Sequence, residues 1–182
     1  MLDLETMGNG SKAAIVSIGA CVFDPVNGEL GEKFERVIKL TSSAYYGEMD
    51  ASTVLWWMKQ DDAARQVLLS KDSLTLKDGL TLFVAWLDLN IPEWKDRVVW
   101  GNGCTFDNVI LGNAFKACGI KQPWGFFNDR DVRTIVDLGR TLHGFDPKTD
   151  MPFDGVRHSS VDDAIHQAKY VSAIYQKLNP QK

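Results

Sequence analysis

The sequence predicts an α/β fold in which helices cover a mixed β-sheet. Three strand-like segments come first and are joined by short turns, so we expect them to pair as antiparallel neighbours. Further along, strand-like segments alternate with helical ones, which is typical of strands connected through helices. No linker divides the 182 residues, and this length suits one hydrophobic core. We therefore expect a single domain over residues 1–182.

The three early strands follow from residue type and turn chemistry. Residues 1–7 alternate apolar and polar types, and residues 13–24 are rich in β-branched and apolar side chains. Residues 29–39 alternate again, and the Asn27-Gly28 pair before them is a strong hairpin signal. These segments predict three antiparallel strands within the first 40 residues.

The later elements are predicted from the helical spacing of apolar residues and from capping residues. Thr75 with Asp78 resembles a capping box, and Gly119 is a helix stop. The predicted helices cover residues 52–58, 61–69, 75–88, 107–118, 130–142 and 161–177. Ser52 is the predicted cap of the first helix, and Asp61 or Asp62 that of the second. In the helix over 130–142, the residues predicted to face inward are Val132, Ile135, Val136 and Leu138. Short strands are predicted at residues 97–103 and at Phe126-Phe127.

Composition narrows the class of protein. The net charge of −4 argues against non-specific coating of nucleic acid by a basic surface, although not against a local basic groove. The three scattered cysteines form no C-x-x-C pair, so they predict neither a disulfide scaffold nor a zinc site and favour a cytoplasmic location. No secretory signal and no apolar run of about 18 residues is present, so we expect no membrane contact.

Asp3 and Glu5 are the first candidate site residues. Residues two apart point to the same face of a strand, so both carboxylates project together while Leu2 and Leu4 face the other way. Like charges on one face repel each other, and a hard divalent ion such as Mg²⁺ binds carboxylate oxygens. Taken alone, the pair also fits a solvated edge strand. Only two residues precede Asp3, so we expect this strand to be short at its N-terminal end.

Asp107 is the second candidate, because it follows a strand and opens a helix. An aspartate there can simply cap the helix and complement its dipole. Alternatively, it points across the carboxyl end of the sheet, where α/β sites usually form. Asn102 and Phe106 would then lie where a polar contact and an aromatic stack meet a base.

His158 and Asp163 form the third candidate, at the junction of a loop rich in turn formers and the last helix. Ser159 with Asp162, or Ser160 with Asp163, fits a capping box. One cap needs only one of these aspartates, so the other is left over. A histidine after a flexible loop can act as a base near neutral pH.

The order of these three pieces resembles the motifs of DnaQ-like 3′–5′ exonucleases of the DEDDh group. Asp-Leu-Glu-Thr matches the first motif, Asn-Gly-Cys-Thr-Phe-Asp-Asn the second, and His-Ser-Ser-Val-Asp-Asp-Ala the third. The resemblance covers residues 2–175 and is greatest to the phage and prophage branch, near ribonuclease T and the Rv2179c-like exoribonucleases. Ser160 replaces the usual alanine, a small departure away from any ligand position. The resemblance implies a ribonuclease-H-like fold and exonuclease activity.

The resemblance also implies two Mg²⁺ or Mn²⁺ ions and a role for each site residue. Asp3, Glu5 and Asp163 would hold the first ion, Asp3 would bridge to the second, and Asp107 would reach the second directly or through water. His158 would take the proton from the attacking water. The loop before His158 would let it swing in when substrate binds.

Substrate contacts are implied near the same residues. The backbone of Glu5 and Thr6 would bind the terminal hydroxyl, and Met7 would wedge beside the last base. Trp56 or Trp57 would stack on bases, which tolerates any sequence, although core or dimer packing explains a tryptophan equally well.

Several alternatives stay open from the sequence alone. The substrate is the 3′ end of single-stranded DNA or RNA, a dinucleotide, or a structured RNA end, because no residue reveals a contact to the 2′-hydroxyl. A catalytically silent nucleic-acid-binding module on the same fold is the alternative of a different class. Relatives of the ribonuclease T type imply a homodimer.

Overall fold

The computed structural model describes residues 1–179, with Ala63 by its backbone alone, so the last three residues of the predicted domain lie outside it. Its sheet has five strands in the order β3-β2-β1-β4-β5. The first three strands pair antiparallel, and β4 and β5 join parallel to β1. The strands are β1 Leu2–Thr6, β2 Ile15–Phe23, β3 Leu30–Val37, β4 Val99–Gly101 and β5 Asp129–Asp131. The predicted mixed sheet and its α/β class are confirmed.

Eight α-helices accompany the sheet within the described residues. Three short stretches of 3₁₀-helix follow α3 or precede β4 and β5. The helices are α1 Leu40–Tyr46, α2 Ala51–Met58, α3 Asp62–Arg65, α4 Leu76–Asn90, α5 Asp107–Ala117, α6 Val132–His143, α7 Pro147–Asp150 and α8 Ser160–Leu178.

The helices pack on both faces of the sheet because the strands alternate their side chains. Leu2 and Leu4 of β1 belong to one apolar cluster with residues of α4 and α5. On the opposite face, Trp100 of β4 and Cys21 of β2 pack with α6 and α8. The central strand is therefore covered on both sides, which is usual for strands in the middle of an α/β sheet.

Local signals place most elements where the sequence predicts them. Thr75 caps α4 and accepts a hydrogen bond of 3.2 Å from the backbone N–H of Asp78, as a capping box requires. Gly28 has φ +82° in the predicted hairpin turn, and Gly119 has φ +67° after α5. Glycine adopts these angles without the steric cost that a Cβ brings.

Three local predictions are wrong. Phe126 and Phe127 lie in a 3₁₀-helix, and the last strand is the polar segment Asp129–Asp131 that follows it. An edge strand needs no apolar side chains on its exposed face, which explains the error. The other two concern the cap of α2, which is Asp50 rather than Ser52, and Leu138, which is exposed. The sequence analysis makes no separate prediction for α1.

No helix among residues 1–179 is both long enough and apolar enough to cross a membrane.

Candidate active site

Four carboxylates from three separate elements converge beside the central strand. Asp3 and Glu5 come from β1, Asp107 from the first position of α5, and Asp163 from the first turn of α8. The alternating burial along β1 places Asp3 and Glu5 on one face and their leucine neighbours on the other. The charges of Glu5, Asp107 and Asp163 all raise the pKa of Asp3, so the four carboxyls lie close together in one site.

Small residues on β2 allow α8 to approach β1. In the sheet register, Gly19 lies beside Asp3 and Ser17 lies beside Glu5. A Cβ on Gly19 would overlap the backbone of Ser160 at the start of α8. The hydroxyl of Ser17 donates a hydrogen bond of 3.0 Å to that of Ser160. The first turn of α8 is thereby held against the sheet, and Asp163 is brought to the two acids of β1.

Asp107 is fixed by the backbone of β1. Its Oδ1 accepts a hydrogen bond of 3.2 Å from the N–H of Leu4. β4 pairs with β1 through Leu2 and Gly101, and β4 ends at Gly101. The side chain of Asp107 therefore accepts the hydrogen bond of Leu4 beyond the end of the β1–β4 pairing. The side chain is buried and lies at the carboxyl end of β4, as predicted, so it does more than cap a helix.

His158 stands beside Glu5 and Asp163 in an unusual backbone conformation. Its φ of 65° is in the left-handed region, which a non-glycine residue rarely adopts. Its backbone N–H donates a hydrogen bond of 3.0 Å to Oδ2 of Asp163, and its Nδ1 lies 4.0 Å from Oε1 of Glu5. Such strain is tolerated only where surrounding contacts hold it, and these contacts bring the imidazole to the acids.

The leftover aspartate of the third motif is Asp163. Ser159 caps α8 by accepting from the N–H of Asp162 at 3.5 Å, so the capping pair is Ser159 with Asp162. Asp162 in turn accepts a hydrogen bond of 2.9 Å from the N–H of Val156 in the preceding loop. Asp163 is therefore not needed for the cap and faces the site.

Burial raises the pKa of every carboxyl in the site, and repulsion from the other site acids adds to it at Asp3 and Glu5. Burial, then the charges of Asp107, Glu5 and Asp163, raise the pKa of Asp3 well above its usual value. Burial and the charges of Asp163 and Asp107 raise the pKa of Glu5 to about 8. Burial raises the pKa of Asp107 to about 7 and also raises that of Asp163. Without a cation, the site favours bound protons.

Gln167 contacts Asp3 and was missed from the sequence. Its side-chain amide donates a hydrogen bond of 2.7 Å to Oδ1 of Asp3. The available signal was its position four residues after Asp163, since residues i and i+4 share one face of a helix. Because one oxygen of Asp3 accepts this bond, the carboxylate is held in a single orientation.

The donor set fits a hard divalent cation. Glu5, His158 and Asp163 each offer one ligand atom within 4.8 Å of the others. Carboxylate oxygens are the ligands that Mg²⁺ and Mn²⁺ prefer, and the raised carboxyl pKa values indicate a site that lacks positive charge. The residues present therefore fit the expected metal.

The two adjacent tryptophans have different positions. Trp57 is 2% exposed, and its indole N–H donates a hydrogen bond of 2.9 Å to the carbonyl of Thr6. The predicted stacking of Trp57 on a base is wrong, because its ring is enclosed in the core and supports the end of β1. Trp56 is 39% exposed, and its ring meets that of His158 edge to face at 5.0 Å.

Two further predicted contacts are also enclosed. Met7 is 3% exposed and packs with Ala14, Val16 and Trp57, so it does not wedge beside a base. The hydroxyl of Thr6 donates to the carbonyl of Gly8 at 2.7 Å, which leaves only its backbone for the predicted contact. Thr6 and Met7 are the two residues after Glu5, and Trp57 of α2 packs in the cluster that encloses Met7.

Asn102 and Phe106 are half-buried next to Asp107, and their contacts with substrate stay predictions. The carbonyl of Asn102 accepts a hydrogen bond of 3.1 Å from Nε of Arg133. Phe106 packs partly against the apolar cluster beneath α5. Both lie at the mouth of the site, where the sequence placed them.

Comparison with known proteins agrees with this geometry. The family of Rv2179c-like 3′-5′ exoribonuclease domains matches residues 1–175. The exodeoxyribonuclease of Enterobacteria phage T4 is 29% identical over 160 residues, covering 75% of this chain and 70% of the phage protein.

Two solved structures share the fold. The nuclease domain of 3′hExo, a DEDDh family member bound to rAMP, superposes with a TM-score of 0.64 at 12% identity, covering 98% of this chain and 90% of that one. A full-length 3′-exonuclease superposes with a TM-score of 0.50 at 12% identity, covering 98% and 80%. The ribonuclease-H-like fold implied by the sequence motifs is confirmed.

Proposed function

The chain belongs to the family of Rv2179c-like 3′-5′ exoribonuclease domains and is a metal-dependent 3′-5′ exonuclease, and we propose that it shortens single-stranded DNA or RNA from the 3′ end with two Mg²⁺ or Mn²⁺ ions. The observation that carries the proposal is the convergence of four carboxylates and one histidine from three distant segments. Burial raises the pKa of each of the four carboxyls, and repulsion adds to it at Asp3 and Glu5, which favours a site that takes up positive charge.

Each acid has its own part in holding the cations. We assign Asp3, Glu5 and Asp163 to one ion, and Asp3 with Asp107 to the other. When bound to these acids, the cations would supply Lewis-acid activation of a water molecule and would stabilise the charge on the leaving 3′-oxygen. Gln167 keeps Asp3 oriented through their hydrogen bond.

His158 is the proposed general base. It takes a proton from the water whose oxygen attacks the phosphorus, and the bond from phosphorus to the 3′-oxygen breaks. The leaving oxygen receives its proton from solvent. The contact between the backbone N–H of His158 and Asp163 places the imidazole next to the acids, and the edge-to-face contact with Trp56 limits its motion.

The proposal also concerns whether the substrate is DNA or RNA. The matching family is named for exoribonucleases, and the phage relative is named an exodeoxyribonuclease. We therefore propose activity on both nucleic acids. A homodimer is proposed from the resemblance to ribonuclease T alone. The three free cysteines, two of them buried, support a reducing cytoplasm as its location.

A gel time course on 3′- and 5′-labelled single-stranded DNA and RNA tests the activity. With the 5′ label, we expect a ladder that shortens progressively in Mg²⁺ or Mn²⁺ and no change in EDTA. Comparing the rates on DNA and on RNA shows which sugar the enzyme prefers. A dinucleotide substrate tests whether the enzyme prefers dinucleotides to longer strands. Tight binding without products in either metal, from folded protein, would favour a silent binding module instead.

A further inference from the structure

A pocket opens beside Asp163, one of the four acids of the site. We propose that this pocket binds the nucleotide on the 5′ side of the scissile phosphate, and that Lys148 and Arg157 at its rim contact the phosphates that follow. The inference rests on the proposed function, because it extends the path of the same strand. It assigns a role to a loop and a short helix that the catalytic residues leave unexplained.

The pocket has the size and construction of a single-nucleotide site. Its volume is about 290 Å³, near the lower end of small-molecule sites. Four parts of the chain line it: the turn after β4, helix α7, the loop before His158, and α8. The residues that matter to the argument are Asn102, Lys148, Phe153, Arg157, Gln167 and Tyr170.

The pocket is continuous with the catalytic acids. Asp163 lies in its wall, and so does Gln167, whose amide donates to Asp3. Gln167 is 5% exposed, and its Oε1 has no hydrogen-bond partner among residues 1–179. A strand whose scissile phosphate lies at the acids therefore has room for the neighbouring nucleotide here.

The chemistry of the pocket suits a nucleotide within a strand. Phe153, His166 and Tyr170 form a row of aromatic rings, with centroid distances of 4.9 Å and 5.3 Å between successive members. Burial and the nearby Lys169 and Arg157 lower the pKa of His166. Tyr170 is buried, so the half-buried rings of Phe153 and His166 are the ones that a base can contact, and aromatic contacts accept bases of any identity.

The cations indicate which side of the scissile phosphate the pocket serves. Lys148 and Arg157 are exposed residues of the lining, and Arg133 donates a hydrogen bond to the carbonyl of Asn102, which also lines the pocket. The nucleotide at the 3′ terminus has no further phosphate beyond it, whereas the strand on the 5′ side continues with one negative charge per nucleotide. Cations at an open rim therefore serve the continuing strand.

Two substrates distinguish contacts to the 5′-side strand from contacts to the 3′-terminal nucleotide. The 4-nitrophenyl ester of thymidine 5′-monophosphate has one nucleotide and a nitrophenolate leaving group, so it carries no nucleotide and no further phosphate on the 5′ side. A single-stranded oligonucleotide fills both sides. We measure kcat/KM on the oligonucleotide and divide it by kcat/KM on the ester. For Lys148→Glu, we expect this ratio to fall about tenfold, because KM for the oligonucleotide rises. Lys77→Glu on α4 is the matched control and should leave the ratio unchanged.

Binding supplies a readout independent of catalysis. In EDTA, the anisotropy of a labelled oligonucleotide gives Kd as a function of salt, and each phosphate contact contributes about 0.7 to the slope of log Kd against log salt. Lys148→Ala should lower this slope by about 0.7, and Lys77→Ala should not.

The outcomes are decisive. An unchanged ratio and an unchanged slope would overturn the proposal. Equal losses on both substrates would place the terminal nucleotide in the pocket and overturn it as well. If the wild-type protein hydrolysed neither substrate in Mg²⁺ or Mn²⁺, the proposed function itself would fail, which is distinct from a loss confined to Lys148→Glu.

Discussion

Gln167 and Asp3 are 164 positions apart in the chain and are joined by a hydrogen bond of 2.7 Å from the amide to Oδ1. The acid lies on the central strand and the amide on the last helix. Because Asp3 is assigned to both cations, its orientation affects both. The bond also explains why a polar glutamine is buried in a face of α8 that otherwise packs against the sheet.

Removing the amide should weaken metal binding. For Gln167→Ala, we expect kcat to fall about tenfold and the Mg²⁺ concentration for half-maximal rate to rise by a similar factor, since supporting contacts of this kind typically contribute 10–100-fold. Gln176→Ala, on the exposed side of the same helix, is the control. A lower rate with an unchanged metal requirement would show that Gln167 does not act through Asp3.

His158 should be needed for proton transfer but not for the fold. His158→Ala should lower kcat at least 100-fold, because general-base catalysis contributes roughly 10²–10⁴. Its melting temperature and its calorimetric affinity for Mn²⁺ should stay near those of the wild type. Loss of Mn²⁺ binding would instead make the imidazole a ligand, which its position near Glu5 and Asp163 also permits.

Trp56 should act on kcat through His158. Trp56→Ala removes the edge-to-face contact, and we expect kcat to fall about tenfold with KM changed less than twofold, because loss of positioning affects the chemical step. Trp56→Phe keeps an aromatic ring and should recover most of the rate. A variant that raised KM with kcat intact would make Trp56 a base-stacking platform.

The metal-free protein should lose stability as pH rises. The folded state raises the pKa of Glu5 from 4.5 to about 8, so its contribution to stability is complete below pH 4.5 and is lost as pH passes through about 8. In EDTA, the melting temperature should therefore fall between pH 5 and pH 8.5.

Neutralising the acid supplies the control for this effect. Glu5→Gln should raise the melting temperature in EDTA at pH 8 by roughly 5 °C and flatten the pH dependence. Saturating Mg²⁺ should do the same for the wild type, because the cations replace the bound protons. A wild-type melting temperature that rises with pH in EDTA would contradict the raised pKa values.

Gly19 should be required for the approach of α8. Gly19→Ala places a methyl group against the backbone of Ser160, and we expect the free energy of unfolding to fall by about 2–3 kcal/mol. Gly10, with open space around its Cβ position, is the matched control and should tolerate alanine. Equal stability of the two variants in urea titrations would show that α8 can shift freely.

The chain reveals the acids of the site because each is marked by local chemistry. Asp3 and Glu5 share a strand face, and Asp107 follows a strand and a glycine turn. Local sequence leaves Asp162 and Asp163 as alternatives, and the resemblance selects Asp163. These signals depend on neighbours in sequence and on the resemblance to one exonuclease group. They therefore predict both the fold and the residues that the structure brings together.

The remaining features depend on packing between distant segments. The pattern of α2 alone does not tell which of Trp56 and Trp57 faces the core, because β1 and the loop before His158 decide it. The apolar pair Phe126-Phe127 predicted a strand, whereas the polar segment after it pairs at the sheet edge. Gln167 gains its role only because α8 is held against β1.

Calorimetric titration with Mn²⁺, paired with hydrolysis of a labelled oligonucleotide, tests the central claim most directly. The wild type should bind two ions and shorten the strand from its 3′ end. Asp163→Ala should lose at least one ion and lose hydrolysis at least 100-fold, whereas Asp137→Ala, an exposed acid on α6, should match the wild type. Wild-type hydrolysis by Asp163→Ala with both ions still bound would contradict the assignment of the four acids to the metal site.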